Sequence, residues 1–207
     1  MDLMKKPRRW PLMAACLLWF GVAQAGVTDV APLPASAWKL LEAAPGIRIG
    51  GKPGQNASVQ VICDAHCPYC AKLERTLQQE HPGLVVRWVP VAYFKPDSAV
   101  LAAAILASPD PAASLAANYR GYDFTARRGA YRPPSGRQFQ LDPAHAALKQ
   151  QWLKWGGFTP MVIVRTREGH IVQAQGSTAP FLRDALEQAA PPVSPLKGWR
   201  PTSSKGD

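Results

Sequence analysis

The stretch ICDAHCPYC, residues 62–70, places three cysteines within eight residues. Positions 58–63, which lead into it, alternate and then become apolar, as expected of a buried strand. A helix follows, because Pro68 suits the first helical position, where its missing N–H costs no hydrogen bond. The cysteines therefore lie where a strand ends and a helix begins. Three thiols there could hold an iron–sulfur cluster, bind a metal or form a working dithiol.

The iron–sulfur interpretation rests on the spacing of Cys63, Cys67 and Cys70. This spacing resembles the cluster loop of radical S-adenosylmethionine enzymes, in which three thiolates hold three irons of a four-iron cluster. Such enzymes resemble cytoplasmic proteins, whereas this chain begins with an export signal. The chain also lacks room for their barrel of repeated βα units. We therefore disfavour a cluster.

A zinc site could use the three cysteines together with His66. Structural zinc usually draws its ligands from two separated groups, such as two CxxC pairs. Here all four candidates lie in one short run, and the sequence contains no second cluster. The sequence accordingly predicts no metal site and no cofactor.

The dithiol interpretation explains more of the pattern. Cys67 lies at a helix N-terminus, where the positive end of the helix dipole and unpaired N–H groups favour the thiolate. Thiolate is the species that attacks a disulfide. Cys70, one helical turn later, could resolve the mixed disulfide that forms on Cys67. A purely structural Cys67–Cys70 bridge would close almost no loop and stabilise little.

Three neighbouring residues, Cys63, Asp64 and His66, allow two interpretations each. Cys63 is expected to pack as a small buried side chain, the alternative being a third redox partner for Cys67. His66 could favour the Cys67 thiolate when protonated, but loop histidines more often face water. Asp64 could accept a proton, but a capping hydrogen bond is preferred.

The remaining pattern predicts an α/β protein. Residues 26–57 are expected to form a short, irregular N-terminal extension with a helical segment at 38–44. Asp142 is the expected N-cap of a later helix that starts at Pro143. The other predicted elements are strands at 84–91, 161–164 and 170–174, helices at 98–107, 111–119 and 181–189, and a Gly/Pro/Arg-rich loop at 120–140.

Thr159-Pro160 is a second signature. It follows a predicted helix and precedes a strand, at the point where thioredoxin-like folds place a cis-proline opposite the dithiol. Only about 5–6% of X–Pro bonds are cis, so the isomer is a prediction. The residue before such a proline would offer its backbone to a substrate strand beside Cys67.

The segments CDAHCPYCAKLERTL, VPVAYFKPDS, AAAILASPDPAASL and GGFTPMVIV, with GHIVQAQG, resemble the catalytic domain of the periplasmic disulfide isomerases DsbC and DsbG, DsbG most closely. The resemblance runs from about residue 50 to residue 189. It implies a thioredoxin-like domain at 58–190, with a helical insertion at about 98–155 between a CxxC-bearing βαβ half and a ββα half.

The resemblance also implies roles for individual residues. Cys67 would be the nucleophile and Cys70 the resolving cysteine, while Pro68 and Tyr69 would set the redox character of the dithiol. The substrate backbone would dock against Thr159-Pro160.

The implied activity is that of an enzyme that reduces or isomerises wrong disulfides and, as in DsbG, rescues sulfenylated cysteines. Its partners would be cysteine-containing exported proteins and a membrane thiol reductase of the DsbD type. These isomerases carry an N-terminal dimerisation domain, for which the roughly 33 residues before the catalytic strand are too few. Alternatives are a disulfide-forming oxidant like DsbA and a non-enzymatic binding module in a secretion or conjugation apparatus.

The chain ends and the composition complete the prediction. Residues 1–25 combine a basic start, an apolar run and an Ala-Gln-Ala site, which predicts a cleaved signal peptide and a periplasmic protein. The apolar run is too short for stable membrane insertion. With 207 residues, 47% hydrophobic, the chain can form a real core, and its net charge of +10 is scattered without a pattern for nucleic-acid binding. Residues 191–207 are expected to be a Pro-rich disordered tail.

Overall fold

The computed structural model describes residues 30–52, 54–174 and 176–191. These residues form a six-stranded sheet in the order β1-β6-β5-β3-β4-β2, and no helix within these ranges is long and apolar enough to cross a membrane. The predicted signal peptide at 1–25 and the predicted tail beyond residue 191 lie outside the described residues. The strands are β1 (Val30–Leu33), β2 (Ile47–Ile49), β3 (Val59–Cys63), β4 (Val86–Pro90), β5 (Met161–Arg165) and β6 (Ile171–Ala174), and the helices are α1 (Ser36–Ala43), α2 (Pro68–Glu80), α3 (Ser98–Leu106), α4 (Pro111–Arg120), α5 (Pro143–Lys154) and α6 (Ala179–Gln188).

Strand β3 lies at the centre of the sheet and leads to the cysteines. It runs parallel to β4 and antiparallel to β5, and β5 continues antiparallel into β6. The unit β3-α2-β4 is thus one half of the fold, and β5-β6-α6 is the other. Helices α3, α4 and α5 lie between the two halves in sequence, so the predicted α/β class with a helical insertion is confirmed.

The side chains of β3 alternate between two hydrophobic cores, one on each face of the sheet. Val61 and Cys63 belong to the core that includes residues of α2, α3, α4 and α6. Ile62 belongs to the opposite core, which includes residues of α1 and α5. All five residues of β3 are buried, because helices cover both faces and strands flank both edges.

The N-terminal segment differs from the expected irregular extension. The helical segment expected at 38–44 is present as α1, but β1 and β2 on either side of it form the two edges of the sheet. Pro32 lies inside β1, and proline is tolerated in edge strands because it cannot donate to a second neighbour. The Arg87 side chain of β4 fastens α1 by donating hydrogen bonds to the carbonyls of Leu41 and Ala44.

Candidate active site at the end of the central strand

Cys67 is the N-cap residue of α2, and Pro68 occupies the first turn as predicted. The Cys67 N–H donates to the Asp64 carbonyl at 3.0 Å, and its own carbonyl accepts from the Ala71 N–H at 3.2 Å. Its backbone is extended, with φ −78° and ψ 120°, so Cys67 precedes the first residue with helical backbone angles. The side chain therefore lies at the positive end of a 13-residue helix.

The two cysteines of the CPYC sequence have opposite acidities. The Cys70 thiol donates a hydrogen bond to the Cys67 sulfur, and this contact outweighs burial and lowers the pKa of Cys67 from 9.0 to about 7. The Thr159 side chain and the N–H groups of Tyr69 and Cys70 act in the same direction. Burial, reinforced by the same Cys70–Cys67 bond, raises the pKa of Cys70 well above its ordinary value. One cysteine is therefore poised as a thiolate while the other holds its proton.

The Thr159–Pro160 segment faces Cys67 from the start of β5, and its peptide bond is cis, as predicted. The Cys67 sulfur lies 3.4 Å from the Thr159 carbonyl oxygen and, as a thiol, donates to it. The Tyr93 hydroxyl lies 2.9 Å from Thr159 Oγ1. The structure thus brings the two predicted signatures, 92 residues apart in sequence, into direct contact, with Tyr93 beside them.

The other sequence-predicted residues of the site lie in different surroundings. Pro160 is buried directly before β5, and Pro68 is half-buried at the start of α2. Tyr69 is 57% exposed. Its ring faces the Lys72 ammonium, 5.4 Å away. Tyr69 therefore belongs to the outer surface around the dithiol.

Asp64 connects the cysteine loop with a second loop. Its side chain is fully buried and accepts four hydrogen bonds through two oxygens. The Oδ1 atom accepts from the His66 N–H at 2.8 Å and from the Ser98 hydroxyl at 3.0 Å. The Oδ2 atom accepts from the N–H groups of Tyr93 at 2.9 Å and Phe94 at 3.0 Å. The capping-type contact expected for Asp64 is present with His66, but the other three partners lie in the segment before α3 and at the first residue of that helix.

Three side chains of the helical insertion hold the carbonyls of the loop before Cys67. Asn118 Nδ2 donates to the Ala65 carbonyl at 2.8 Å, and the Tyr122 hydroxyl donates to the His66 carbonyl at 2.6 Å. The Tyr119 hydroxyl donates to the Asp64 carbonyl at 3.2 Å. The three are buried residues in and after α4. None of the three was predicted from the sequence, although an Asn-Tyr pair near the C-terminal end of an alanine-rich helix is a detectable polar signal.

The expectation that His66 faces water is wrong, because its side chain is 1% exposed. Its Nδ1 accepts from the Gly129 N–H at 3.1 Å, so the hydrogen-bond pattern assigns the ring proton to Nε2. Nε2 lies 3.2 Å from the Asp97 carboxylate without the alignment of a hydrogen bond. Burial lowers the pKa of His66 below 6.5, although Asp97 opposes this effect. The His66 ring is therefore uncharged and supplies no cation beside Cys67.

Cys63 packs as a small apolar side chain. It is 1% exposed within the core that contains α2 and α4. Burial raises the pKa of its thiol far above the usual range, although contact with Tyr119 opposes the shift. A protonated, buried thiol is a poor nucleophile. The arrangement favours the packing interpretation of Cys63 over a third redox partner.

The same cysteines and their neighbours show no arrangement suited to a metal. Across the described ranges, no group of three or more His, Cys, Asp and Glu side chains is placed to hold a metal ion. The three thiols are free, and all three are buried. Two adjacent thiols of unequal acidity can instead exchange with a disulfide.

Comparison with known proteins adds support for the fold. A disulfide interchange protein from Neisseria gonorrhoeae aligns over 70% of this chain and 95% of its own, with a TM-score of 0.50 and 19% identity. A periplasmic thioredoxin-like protein from Salmonella enterica serovar Typhimurium aligns over 76% and 98%, with a TM-score of 0.49 and 20% identity. No model of a known protein family matches the chain, and no curated protein does. At this identity the likeness to the Neisseria protein supports the fold alone, which is thioredoxin-like.

Proposed function

We propose that this protein is an exported thiol–disulfide oxidoreductase that reduces or isomerises disulfides in other exported proteins. The observation that carries the proposal is the position of the Cys67 sulfur, which lies at the N-terminus of α2, one turn before Cys70, and 3.4 Å from the Thr159 carbonyl oxygen. In this arrangement a nucleophile and a resolving thiol lie next to a backbone segment on which a client strand could dock.

The first step is attack by the Cys67 thiolate on one sulfur of a client disulfide. The client S–S bond breaks, a bond forms between Cys67 and the attacked sulfur, and the other client sulfur leaves as a thiolate. A pKa of about 7 suits this step, because the best attacking thiol has a pKa near the ambient pH.

The second step decides between reduction and isomerisation. For reduction, Cys70 attacks the Cys67 sulfur, its proton passes to the departing client thiolate, and two electrons have moved from the dithiol to the client. For isomerisation, a client thiolate attacks the mixed disulfide, forms a new client disulfide and releases Cys67 as a thiolate. The proton that burial holds on Cys70 slows the first route, which leaves time for the second.

The acidity of Cys67 also bears on the direction of electron flow. A lower thiolate pKa stabilises the reduced form and makes the dithiol a stronger oxidant. The strong oxidant DsbA has a nucleophile pKa of about 3.5, and thioredoxin one of about 7. The value of about 7 for Cys67 supports a reducing role. In the periplasm such a dithiol needs an electron source, for which we propose a membrane thiol reductase of the DsbD type.

Trapping tests the proposed function. The variant Cys70→Ala keeps the nucleophile and removes the resolving thiol, so it should accumulate mixed disulfides with exported proteins in the cell. The matched control is the double variant Cys67→Ser/Cys70→Ala, which should trap none. If the two variants gave the same pattern, the protein would not act through Cys67, and a non-enzymatic binding role would be favoured.

The reduction potential of the purified protein separates a reductase from an oxidant. We expect a value closer to that of thioredoxin, about −270 mV, than to that of DsbA, about −120 mV. A value near the second figure would contradict the reducing role and favour a disulfide-forming oxidant.

A further inference from the structure

An exposed cation lies between two exposed aromatic rings beside Cys67. Lys72 projects from α2, and its Nζ lies 5.4 Å from the centre of the Tyr69 ring and 5.9 Å from that of Phe124. Tyr69 is 57% exposed and Phe124 is 43% exposed. We define these three side chains as the Tyr69–Lys72–Phe124 face. Aromatic side chains with this much exposure are more often found at contact surfaces than in the rest of a surface.

Phe124 is held in place by its own turn. The N–H and carbonyl of Asp123 pair with those of Arg128, and the Asp123 carboxylate accepts from the N–H groups of Thr125 and Ala126. The turn therefore presents Phe124 on an ordered backbone. Little conformational entropy would be lost when a partner contacts this ring.

Tyr122 connects this turn to the reacting cysteine. Its ring packs on Phe124 with centroids 4.8 Å apart, and its hydroxyl donates to the carbonyl of His66, the residue before Cys67. The Tyr69–Lys72–Phe124 face is thus fixed in position relative to the sulfur that a client must reach.

The charge of the face is unbalanced. Among the described residues no carboxylate lies within ion-pair distance of Lys72. A second cation, Arg127, lies on the same turn, with its guanidinium 4.8 Å from the Phe94 ring centre. The partner that complements this face carries negative charge and apolar area together.

We infer that the Tyr69–Lys72–Phe124 face binds client segments in which an acidic residue lies close to the cysteine under attack. The inference rests on the proposed function and adds a preference among clients. Lys72 lies five residues beyond Cys67 on α2, so their backbone positions are separated by roughly 8 Å along the helix axis, at about 1.5 Å rise per residue. The Lys72 side chain extends this reach, and an extended client advances about 3.3 Å per residue. The preferred carboxylate therefore lies within a few residues of the client cysteine.

Peptides with a chromogenic leaving thiol test this preference. Each peptide carries one cysteine as a mixed disulfide with thionitrobenzoate, and either Asp or Asn two residues away. The reduced full-length protein should release the chromophore from the Asp peptide about three to five times faster, the size of effect expected from an exposed charge pair. Added salt should reduce the preference, because it screens exposed charges.

Two variants assign the preference to the face. Lys72→Gln should bring the Asp/Asn rate ratio close to one, because it removes the charge that distinguishes the two peptides. The matched control is Lys39→Gln, which removes an exposed lysine from α1 on the opposite side of the sheet and should keep the ratio. Phe124→Ala should slow both peptides by a similar factor, because it removes apolar contact area but no charge.

The outcomes separate this inference from the proposed function. Exchange at equal rates with both peptides, or an equal loss of preference in the two lysine variants, would overturn the acidic preference and leave the oxidoreductase intact. Absence of exchange with either peptide would overturn the oxidoreductase and the preference together.

Discussion

The Cys67 thiolate is stabilised by groups that belong to its own helix. The largest contribution is the hydrogen bond from Cys70, and the N–H groups of Tyr69 and Cys70 add to it. These donors come with the CPYC sequence whenever it opens a helix, which is why the sequence alone predicted a low pKa for Cys67. The size of the shift depends on burial and on Thr159, which approaches from a distant part of the chain.

The acidity of Cys67 leads to a prediction about pH. Thiolate absorbance of the reduced protein in the ultraviolet should rise with a midpoint near pH 7, and Cys67→Ser should abolish this step. The exchange rate should follow the same curve and level off above it, whereas an ordinary thiol would keep gaining reactivity up to pH about 9. A midpoint at the ordinary thiol value would contradict the hydrogen-bonded thiolate.

The same shift affects stability, because the folded pKa lies below that of the unfolded chain. Ionisation of Cys67 stabilises the folded, reduced protein fully above the unfolded pKa of about 9, and the contribution is lost as the pH falls through about 7. For a difference of two pKa units it amounts to about 3 kcal/mol.

Asp64 illustrates a residue whose type could be read from the sequence but whose partners could not. A buried aspartate after a strand predicts a local hydrogen bond, and the contact with the His66 N–H is of that kind. The contacts with Tyr93, Phe94 and Ser98 join positions about 30 residues apart. Such contacts depend on how β3 and β4 lie in parallel, which only the assembled sheet determines.

At the scale of elements, α4 and the segment after it act as a clamp on the cysteine loop. The Tyr122 hydroxyl donates to a carbonyl that is buried in the structure. Tyr122→Phe should therefore lower the free energy of unfolding by about 1–3 kcal/mol, the cost of leaving a buried acceptor without its donor. Urea titration would measure the loss.

A matched control for this clamp is Tyr131→Phe. It removes the same atom from a residue whose hydroxyl has no hydrogen-bond partner in the described part of the chain. Its effect should stay within about 0.5 kcal/mol. Equal losses in the two variants would show that the Tyr122–His66 bond contributes nothing specific.

The two strands of the N-terminal segment could not be predicted from the local sequence pattern. Strands β1 and β2 have four and three residues, too few to display an alternating pattern, and β1 contains a proline. Their strand conformation comes from pairing with β6 and β4, which supplies hydrogen bonds that local sequence does not encode. Longer elements with clear periodicity or caps, such as α5 with Asp142 as its N-cap, were predicted correctly.

At the scale of the whole molecule, only one of the two cores on opposite faces of the sheet contains the reacting cysteine. The core around Trp38 contains residues of α1 and α5 and lies on the opposite face from the core that contains Cys67. Trp38→Ala should cost about 3–5 kcal/mol of stability, the usual loss for a buried tryptophan. The thiolate midpoint of Cys67 should stay the same. Denaturant titration combined with thiolate absorbance tests both expectations.

The neighbouring exposed residue supplies the control for this variant. Lys39→Ala should change stability by less than about 0.5 kcal/mol. A shift of the Cys67 midpoint in the Trp38 variant would show that the two faces are coupled through the sheet.

The burial of Cys67 has a kinetic consequence. Cys67 is 1% exposed, so a client sulfur reaches it only when neighbouring groups such as Thr159, whose carbonyl oxygen lies 3.4 Å from the sulfur, move aside. The observed rate of attack is then the intrinsic rate multiplied by the fraction of molecules that are open at any moment. A client that pushes those neighbours apart as it docks raises that fraction for itself, whereas a small oxidant has to wait for a spontaneous opening. The closed site would therefore protect a reactive sulfur from being consumed between clients.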